Sequence, residues 1–322
     1  MLQYKLNIYS HSCEGKLSRL KIKIIFNPSS GRQANGLVVG DILHYLSEAD
    51  AIERADVFYT ATKDDAKNCA ASLKPGEFDM VIAVGGDGTI NEVVSGLMVG
   101  GSKTPLAILS GGTVNDFATA LNLPTNPSAF ARMLMDGSRM KVDVGQAGDY
   151  YFLNVLAGGL MTDVAYKVPS SAKTSLGSLA YVIEGAKEAP GNLFKSIPLY
   201  FATSSNEYRK DVLVFLISNS RSVAGIRKLF PKAQLSDGLL DVLILSKLEP
   251  GQFLPLIGKY IVGDHMSDDS VLYFQTDHLD IASIGDQEVR LDLDGEEGPL
   301  LPITVKCLPQ ALTLIVPSED GA

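Results

Sequence analysis

The sequence predicts an α/β domain built on a parallel sheet, followed by a second domain of mostly antiparallel strands. From Lys21 to about Asp136, short apolar runs alternate with amphipathic stretches, which is the rhythm of β-α-β units. Beyond about Met140 closely spaced strand patterns take over, punctuated by turn residues. Each of the first four apolar runs ends in a short, small and polar loop.

In the first domain KIKIIFN (21–27), ADVFYT (55–60), DMVIAV (79–84) and PLAIL (105–109) read as buried strands. Helical patterns such as ANGLVVGDILHYLSE and DAKNCAASL separate them, so helices cover both faces of the sheet. Ligands of such sheets bind outside the carboxyl ends of the strands, here NPSSG, TATKDD, GGDGT and SGGTVND. The later strand candidates are KVDVG, YYFLNVLA, IPLYFAT, KDVLVFLISN, LLDVLIL, SVLYFQT, HLDIAS, QEVRLDLDG and PITVKC, and they suggest a sandwich or barrel. Helical patterns interrupt them at 175–188 and 251–263, while ALTLIVP either finishes the β domain or returns to pair with the first. The expected units are therefore 21–139, with a return at about 310–322, and 140–309; residues 1–20 are left unassigned.

The 322 residues are 46% apolar, enough for two cores, and no window reaches the 18 or more apolar residues that span a bilayer. The first residues lack the pattern of a secretory signal, so a soluble, cytoplasmic protein is expected. Cys13, Cys69 and Cys307 are far apart and odd in number, which suits reduced thiols. His11, His44, His265 and His278 share no metal-ligand spacing, and no serine-nucleophile motif is present. A net charge of −9 argues against nucleic acid as a partner. Contact with anionic lipid then requires a local basic patch, which RSVAGIRKLFPKA (221–233) would supply if it is not simply a solvated loop.

VIAVGGDGTINEVVSG (81–96) joins a strand to a helix through glycines and sets Asp87 among them. Asp87 is either a helix N-cap in a tight turn or part of an anion site, in which glycines let the backbone approach phosphate. GDGTIN lacks the last glycine of a dinucleotide fingerprint, and GGSKT (100–104) lacks the glycine before a Walker lysine. Mg²⁺ becomes the expected counter-charge, with Asp87 holding it directly or through water. In LDLDGEEG (291–298), Asp292, Asp294, Glu296 and Glu297 crowd four carboxylates together, which a hairpin turn between QEVRLDLD and PITVKC does not by itself explain.

FNPSSG, TATKDDA, VGGDGTINEVVSGL, GGTVNDFATAL, SDGLLDV and LDGEE follow one another in the order found in the diacylglycerol-kinase catalytic domain, which the chain resembles over about residues 21–317. That family includes bacterial diacylglycerol kinases, related lipid kinases and sphingosine kinases. The resemblance implies a Rossmann-like first domain, as in NAD kinases and phosphofructokinases, a β-sandwich second domain and a cleft between them. It implies ATP bound by Asn27, Pro28, Ser29, Ser30 and Gly31, by Thr60, by Gly85, Gly86, Asp87, Gly88, Thr89, Ile90 and Asn91, and by Gly112, Thr113 and Asn115. Asp87, Asp116 and Asp143 then resemble an Mg²⁺-holding set, and Gln234, Asp237 and Leu239 a second, structural cation site. Glu296 resembles the proton acceptor, with Asp294 alongside and Glu297 a near duplicate. The implied reaction moves the γ-phosphoryl group of ATP to a lipid hydroxyl, most simply that of diacylglycerol in phospholipid biosynthesis, at the inner face of a membrane. Other lipids, a soluble substrate like that of NAD kinases, and a non-catalytic nucleotide sensor are the alternatives; a homodimer is one expected assembly.

Overall fold

The computed structural model describes residues 19–29, 35–111, 116–159, 196–223, 229–248, 250–252, 255–256, 258–259 and 263–318. The helical pattern expected at 175–188 lies outside them, and of the one at 251–263 only parts are described, including a 3-10 turn at Pro250–Gln252.

The first half alternates strand and helix as expected: β1 (Leu20–Phe26), α1 (Asn35–Glu48), β2 (Ile52–Tyr59), α2 (Asp65–Ala71), β3 (Met80–Gly85), α3 (Asp87–Val99), β4 (Leu106–Ser110), α4 (Asp116–Ala120) and α5 (Pro127–Asp136). The strands are parallel in the order β2-β1-β3-β4. Period-two alternation sends their side chains to two separate cores. Ile25, Val81, Ala83 and Ile108 pack with Val93, Val94 and Leu97 of α3. Ile22, Ile24, Phe26, Ile82, Val84 and Leu109 pack on the opposite face with Ile42 and Leu46 of α1 and Phe130 and Leu134 of α5. Each such side chain, removed from water, contributes roughly 1.5–3 kcal/mol before the entropy of ordering is subtracted.

Antiparallel strands follow: β5 (Ser138–Ala147), β6 (Tyr150–Phe152), β7 (Val155–Gly159), β8 (Ile197–Ala202), β9 (Glu207–Ser218), β10 (Leu240–Ser246), β11 (Val271–Thr276), β12 (His278–Ser283), β13 (Arg290–Leu293), β14 (Glu296–Leu300) and β15 (Ile303–Val316). The long strand β9 pairs β8 along its first half, then β7, with β10 on its other edge. Phe152, Phe201, Phe215, Ile217, Val242, Leu279 and Leu291 fill the core of this lobe.

The sequence runs PITVKC and ALTLIVP form one strand. β15 pairs β12 through residues 303–306, pairs β5 along most of its length, and meets β4 in parallel at Leu314 and Leu106. It therefore belongs to both lobes. The register slips between Leu308, opposite Val144, and Leu312, opposite Val142, so Pro309, Gln310 and Ala311 bulge opposite Asp143. Pro309 has no N–H to give a ladder, and Gln310 adopts φ 48.

Two expected strands are shorter or broken. YYFLNVLA splits into β6 and β7 because the N–H groups of Leu153, Asn154 and Val155 turn to one side-chain carboxylate, that of Asp294. QEVRLDLDG keeps only Arg290–Leu293 as strand, and its hairpin partner is Glu296–Leu300, not PITVKC.

Candidate active site

With β2 on one side of β1 and β3 on the other, the sheet reverses its order between β1 and β3, where open α/β sheets leave a crevice at their carboxyl ends. The loops that follow these strands are tied across it. Asn27 N donates to Val84 O at 2.9 Å, and Asn27 Nδ2 donates to Thr89 Oγ1 at 3.0 Å. Asn27 Oδ1 in turn accepts from Ser29 N at 3.0 Å and Ser29 Oγ at 2.7 Å, which folds the turn through Pro28 back on itself. Thr60 N donates to Phe26 O at 2.9 Å and Gly111 N to Gly85 O at 2.8 Å, so the ends of β2 and β4 flank the same place. Ser30, Gly31, Gly112, Thr113 and Asn115 lie outside the described residues; Asp116 opens α4 just beyond β4.

The turn after β3 is a helix N-terminus. Gly86 is the N-cap and Asp87 the first helical residue, so Asp87 is not the cap the sequence allowed; it stands in the first turn, where α3 favours negative charge. A Cβ on Gly85 would strike the Thr89 side chain, and one on Gly88 would strike the Glu296 carboxylate. Ile90 is buried in the α3 core and its N–H is spent on Gly86 O at 3.1 Å. Asn91, expected among the phosphates, instead gives its Nδ2 hydrogens to Tyr151 O at 3.0 Å and Asp294 Oδ2 at 2.9 Å. Sequence reasoning missed Glu92, whose carboxylate takes the N–H groups of Asp64 (3.1 Å) and Ala66 (3.2 Å) and closes the start of α2. Glu92 lies inside the GGDGTINEVVSG stretch, but nothing in that pattern said its carboxylate would close a neighbouring helix.

The carboxylates of LDLDGEEG have separate tasks. Asp294 (φ 53) and Gly295 (φ 91) form the two-residue hairpin loop between β13 and β14. Asp294 accepts from Asn91, Leu153 N (2.8 Å), Asn154 N (3.0 Å) and Val155 N (2.7 Å). Burial pushes its carboxyl above the usual range, and these four donors pull it back. Asp292 Oδ1 accepts Gly295 N at 2.8 Å, and Glu297 pairs with Arg290 at 2.9 Å on the exposed side. Glu296 lies against Gly88 in the first turn of α3.

Asp143 sits where the two lobes meet, with its carboxylate engaged by main-chain N–H groups. Fully buried opposite the β15 bulge, its Oδ1 takes Gln310 N and its Oδ2 takes Gly238 N, each at 2.7 Å. The carboxylate thus replaces the main-chain acceptor that the bulge removes, and it ties the bulge of β15 to the second expected cation loop. There Asp237 Oδ1 accepts Leu239 N at 3.0 Å, a local turn, and Gln234 and Asp237 are exposed. Among the described residues no three His, Cys, Asp or Glu side chains converge to hold a metal.

In the basic segment, Arg221 Nε donates to Ala233 O at 2.9 Å and Phe230 is buried with Val223, Ala233 and Leu243. Phe230 therefore faces the protein, not a membrane. Residues 224–228 lie outside the described ones.

A glycine turn at a helix N-terminus stands beside a sheet crevice and faces a carboxylate from a second lobe, an arrangement suited to phosphoryl transfer. The diacylglycerol kinase catalytic domain matches residues 21–147, and the YegS C-terminal NAD kinase beta sandwich-like domain matches residues 156–316. The chain is 32% identical over 302 residues to a diacylglycerol kinase of Bacillus subtilis, covering 94% of this chain and 98% of that one. A diacylglycerol kinase of Staphylococcus epidermidis is 34% identical over 304 residues, 94% and 93% of the two chains. The chain belongs to the diacylglycerol kinase family, and is a lipid kinase with an alcohol group as acceptor. The fold agrees with that of a diacylglycerol kinase from Bacillus anthracis (TM-score 0.76, 24% identity, 95% of this chain and 100% of that one). More distantly it agrees with yeast NADH kinase (TM-score 0.54, 10% identity, 94% and 85%).

Proposed function

We propose that this kinase transfers the γ-phosphoryl group of ATP, with Mg²⁺, to the free hydroxyl of diacylglycerol, giving phosphatidate. The observation that carries the reading is the Glu296 carboxylate lying against Gly88, which brings a base to the helix N-terminus where phosphate would rest. Glu296 takes the hydroxyl proton as the lipid oxygen bonds to phosphorus and the bond to the bridging oxygen of ADP breaks. Backbone N–H groups around Gly85 to Thr89, with Asn27 and Ser29, surround the phosphates, and by the family resemblance Gly112, Thr113 and Asn115 join them. The donor set suits a hard cation: Asp87 stands in the first helical turn, and Asp116 opens the helix after the neighbouring strand. Those two would hold Mg²⁺, which when bound neutralises phosphate charge. Asp143, with both oxygens engaged by backbone N–H groups, supports the lobe junction beside them.

No helix among the described residues is long and apolar enough to cross a membrane. We place the lipid at a membrane surface that the protein touches peripherally. The test is transfer from γ-labelled ATP to diacylglycerol in mixed micelles, to a total lipid extract and to NADH. Labelled phosphatidate supports the reading. A different labelled lipid changes the acceptor, label on NADH alone replaces the lipid assignment, and no label in any arm favours a nucleotide sensor.

A further inference from the structure

We infer that Asn91 and Asp294 form a clamp that positions Glu296 over Gly88, and that neither side chain handles the phosphates or the proton. The inference rests on Glu296 being the proton acceptor. Gly88 and Asn91 are three residues apart on α3 and therefore share a face. Asp294 and Glu296 flank Gly295 at the tip of the β13–β14 hairpin. The helix face and the hairpin tip meet at two points: Asn91 on Asp294 at 2.9 Å, and Gly88 under the Glu296 carboxylate. Fixing the first point sets the second.

The clamp's chemistry leaves it little else to do. A carboxylate offers about four acceptor sites, and Asp294 fills them with Asn91 Nδ2 and the N–H groups of Leu153, Asn154 and Val155. A proton acceptor needs an open one. Asp294 N also donates to Val155 O at 2.9 Å, so the same short segment grips the turn by side chain and main chain. Both Nδ2 hydrogens of Asn91 are likewise spent, on Tyr151 O and Asp294. The left-handed conformation of Asp294 (φ 53), common for Asp and Asn in a hairpin loop, directs its carboxylate into this nest while β14 carries Glu296 to the helix.

The experiment compares wild type, Asn91→Ala and Asp294→Asn, each also in a Glu296→Gln background. It reads kcat and KM for ATP on diacylglycerol micelles, together with amide hydrogen exchange of residues 153–155 and 294–300. Asn91→Ala should lower kcat roughly 10- to 100-fold by misplacing the base, leave KM for ATP unchanged, and speed exchange in both segments. In the Glu296→Gln background it should cost nothing further, because the two act as a unit. A raised KM with unchanged kcat would make Asn91 a nucleotide ligand and overturn the clamp, as would losses that multiply in the Glu296→Gln background. Asn91→Ala removes one donor of four and carries the test if Asp294→Asn does not fold. If the wild-type protein phosphorylates no lipid, the functional reading fails. The clamp is then judged by exchange, and wild-type rates in both segments of Asn91→Ala overturn it.

Discussion

Asn27 Nδ2 donates to Thr89 Oγ1 at 3.0 Å, joining the loop after β1 to the first turn of α3 across the point where the sheet reverses. The bond makes one wall of two loops that lie 62 residues apart in sequence. Thr89→Val keeps the shape and removes the acceptor. Its expected effect is a loss of about 1 kcal/mol in stability, measured by urea unfolding, with a rise of roughly tenfold in the dissociation constant for ATP, measured calorimetrically.

Gly88→Ala tests the contact between the lobes. The added methyl meets the Glu296 carboxylate, which must swing away. Turnover should fall by about two orders of magnitude or more, the range expected when a positioned base is displaced, while the unfolding midpoint changes little. Glu296→Ala and Asp87→Ala should each abolish transfer without unfolding the chain; near-normal turnover in either would remove that residue's role.

Asp143 is a stability residue before it is anything else. Asp143→Leu leaves the part-buried Gln310 N and Gly238 N without their acceptor, and the expected cost is about 1–3 kcal/mol by chemical denaturation. Burial and the neighbouring Asp143 push the thiol of Cys307 up to about 12. Folded protein at pH 8 should therefore leave Cys307 unalkylated by iodoacetamide, as read by peptide mass, until denaturant is added.

Asp268 predicts a specific acid limb. Ser270 and the Lys259 ammonium hold its carboxyl down at about 2. A depressed folded-state pKa contributes stability that is complete above the unfolded value, about 3.9, and is lost as pH falls from there toward 2. Denaturation midpoints between pH 5 and 2 should fall less steeply in Asp268→Asn than in wild type.

Arg227→Glu with Lys228→Glu tests the membrane side of the proposal. Binding to vesicles rich in anionic lipid should weaken and become less sensitive to salt, with activity on detergent micelles preserved. Unchanged vesicle binding would exclude this segment as the contact.

The first lobe was legible because buried parallel strands advertise themselves as short apolar runs, and KIKIIFN or DMVIAV fits nothing else so well. GGDGT was legible for the same kind of reason: glycines at Gly85 and Gly88 are demanded by Thr89 and Glu296, and both demands leave their mark in the sequence. The partners of Asn91 and Asp143 were not legible because Asp294 and Gln310 lie 203 and 167 residues away, and a polar residue's type does not say which of two neighbours it will serve. The break between β6 and β7 was hidden likewise, since YYFLNVLA is a uniform strand pattern until a distant carboxylate claims its amides. Glu297 shows the converse, a duplicate in sequence that geometry separates by turning it to Arg290.

β15 carries the last consequence. Because its start pairs β12, its end meets β4 and its middle is pinned at the bulge by Asp143, the strand acts as a splint across the joint. Because β5 runs with it across the joint, a rotation of one lobe against the other would have to bend both strands at the bulge. The same splint makes the lobes thermally interdependent: whichever melts first strips the other of an edge.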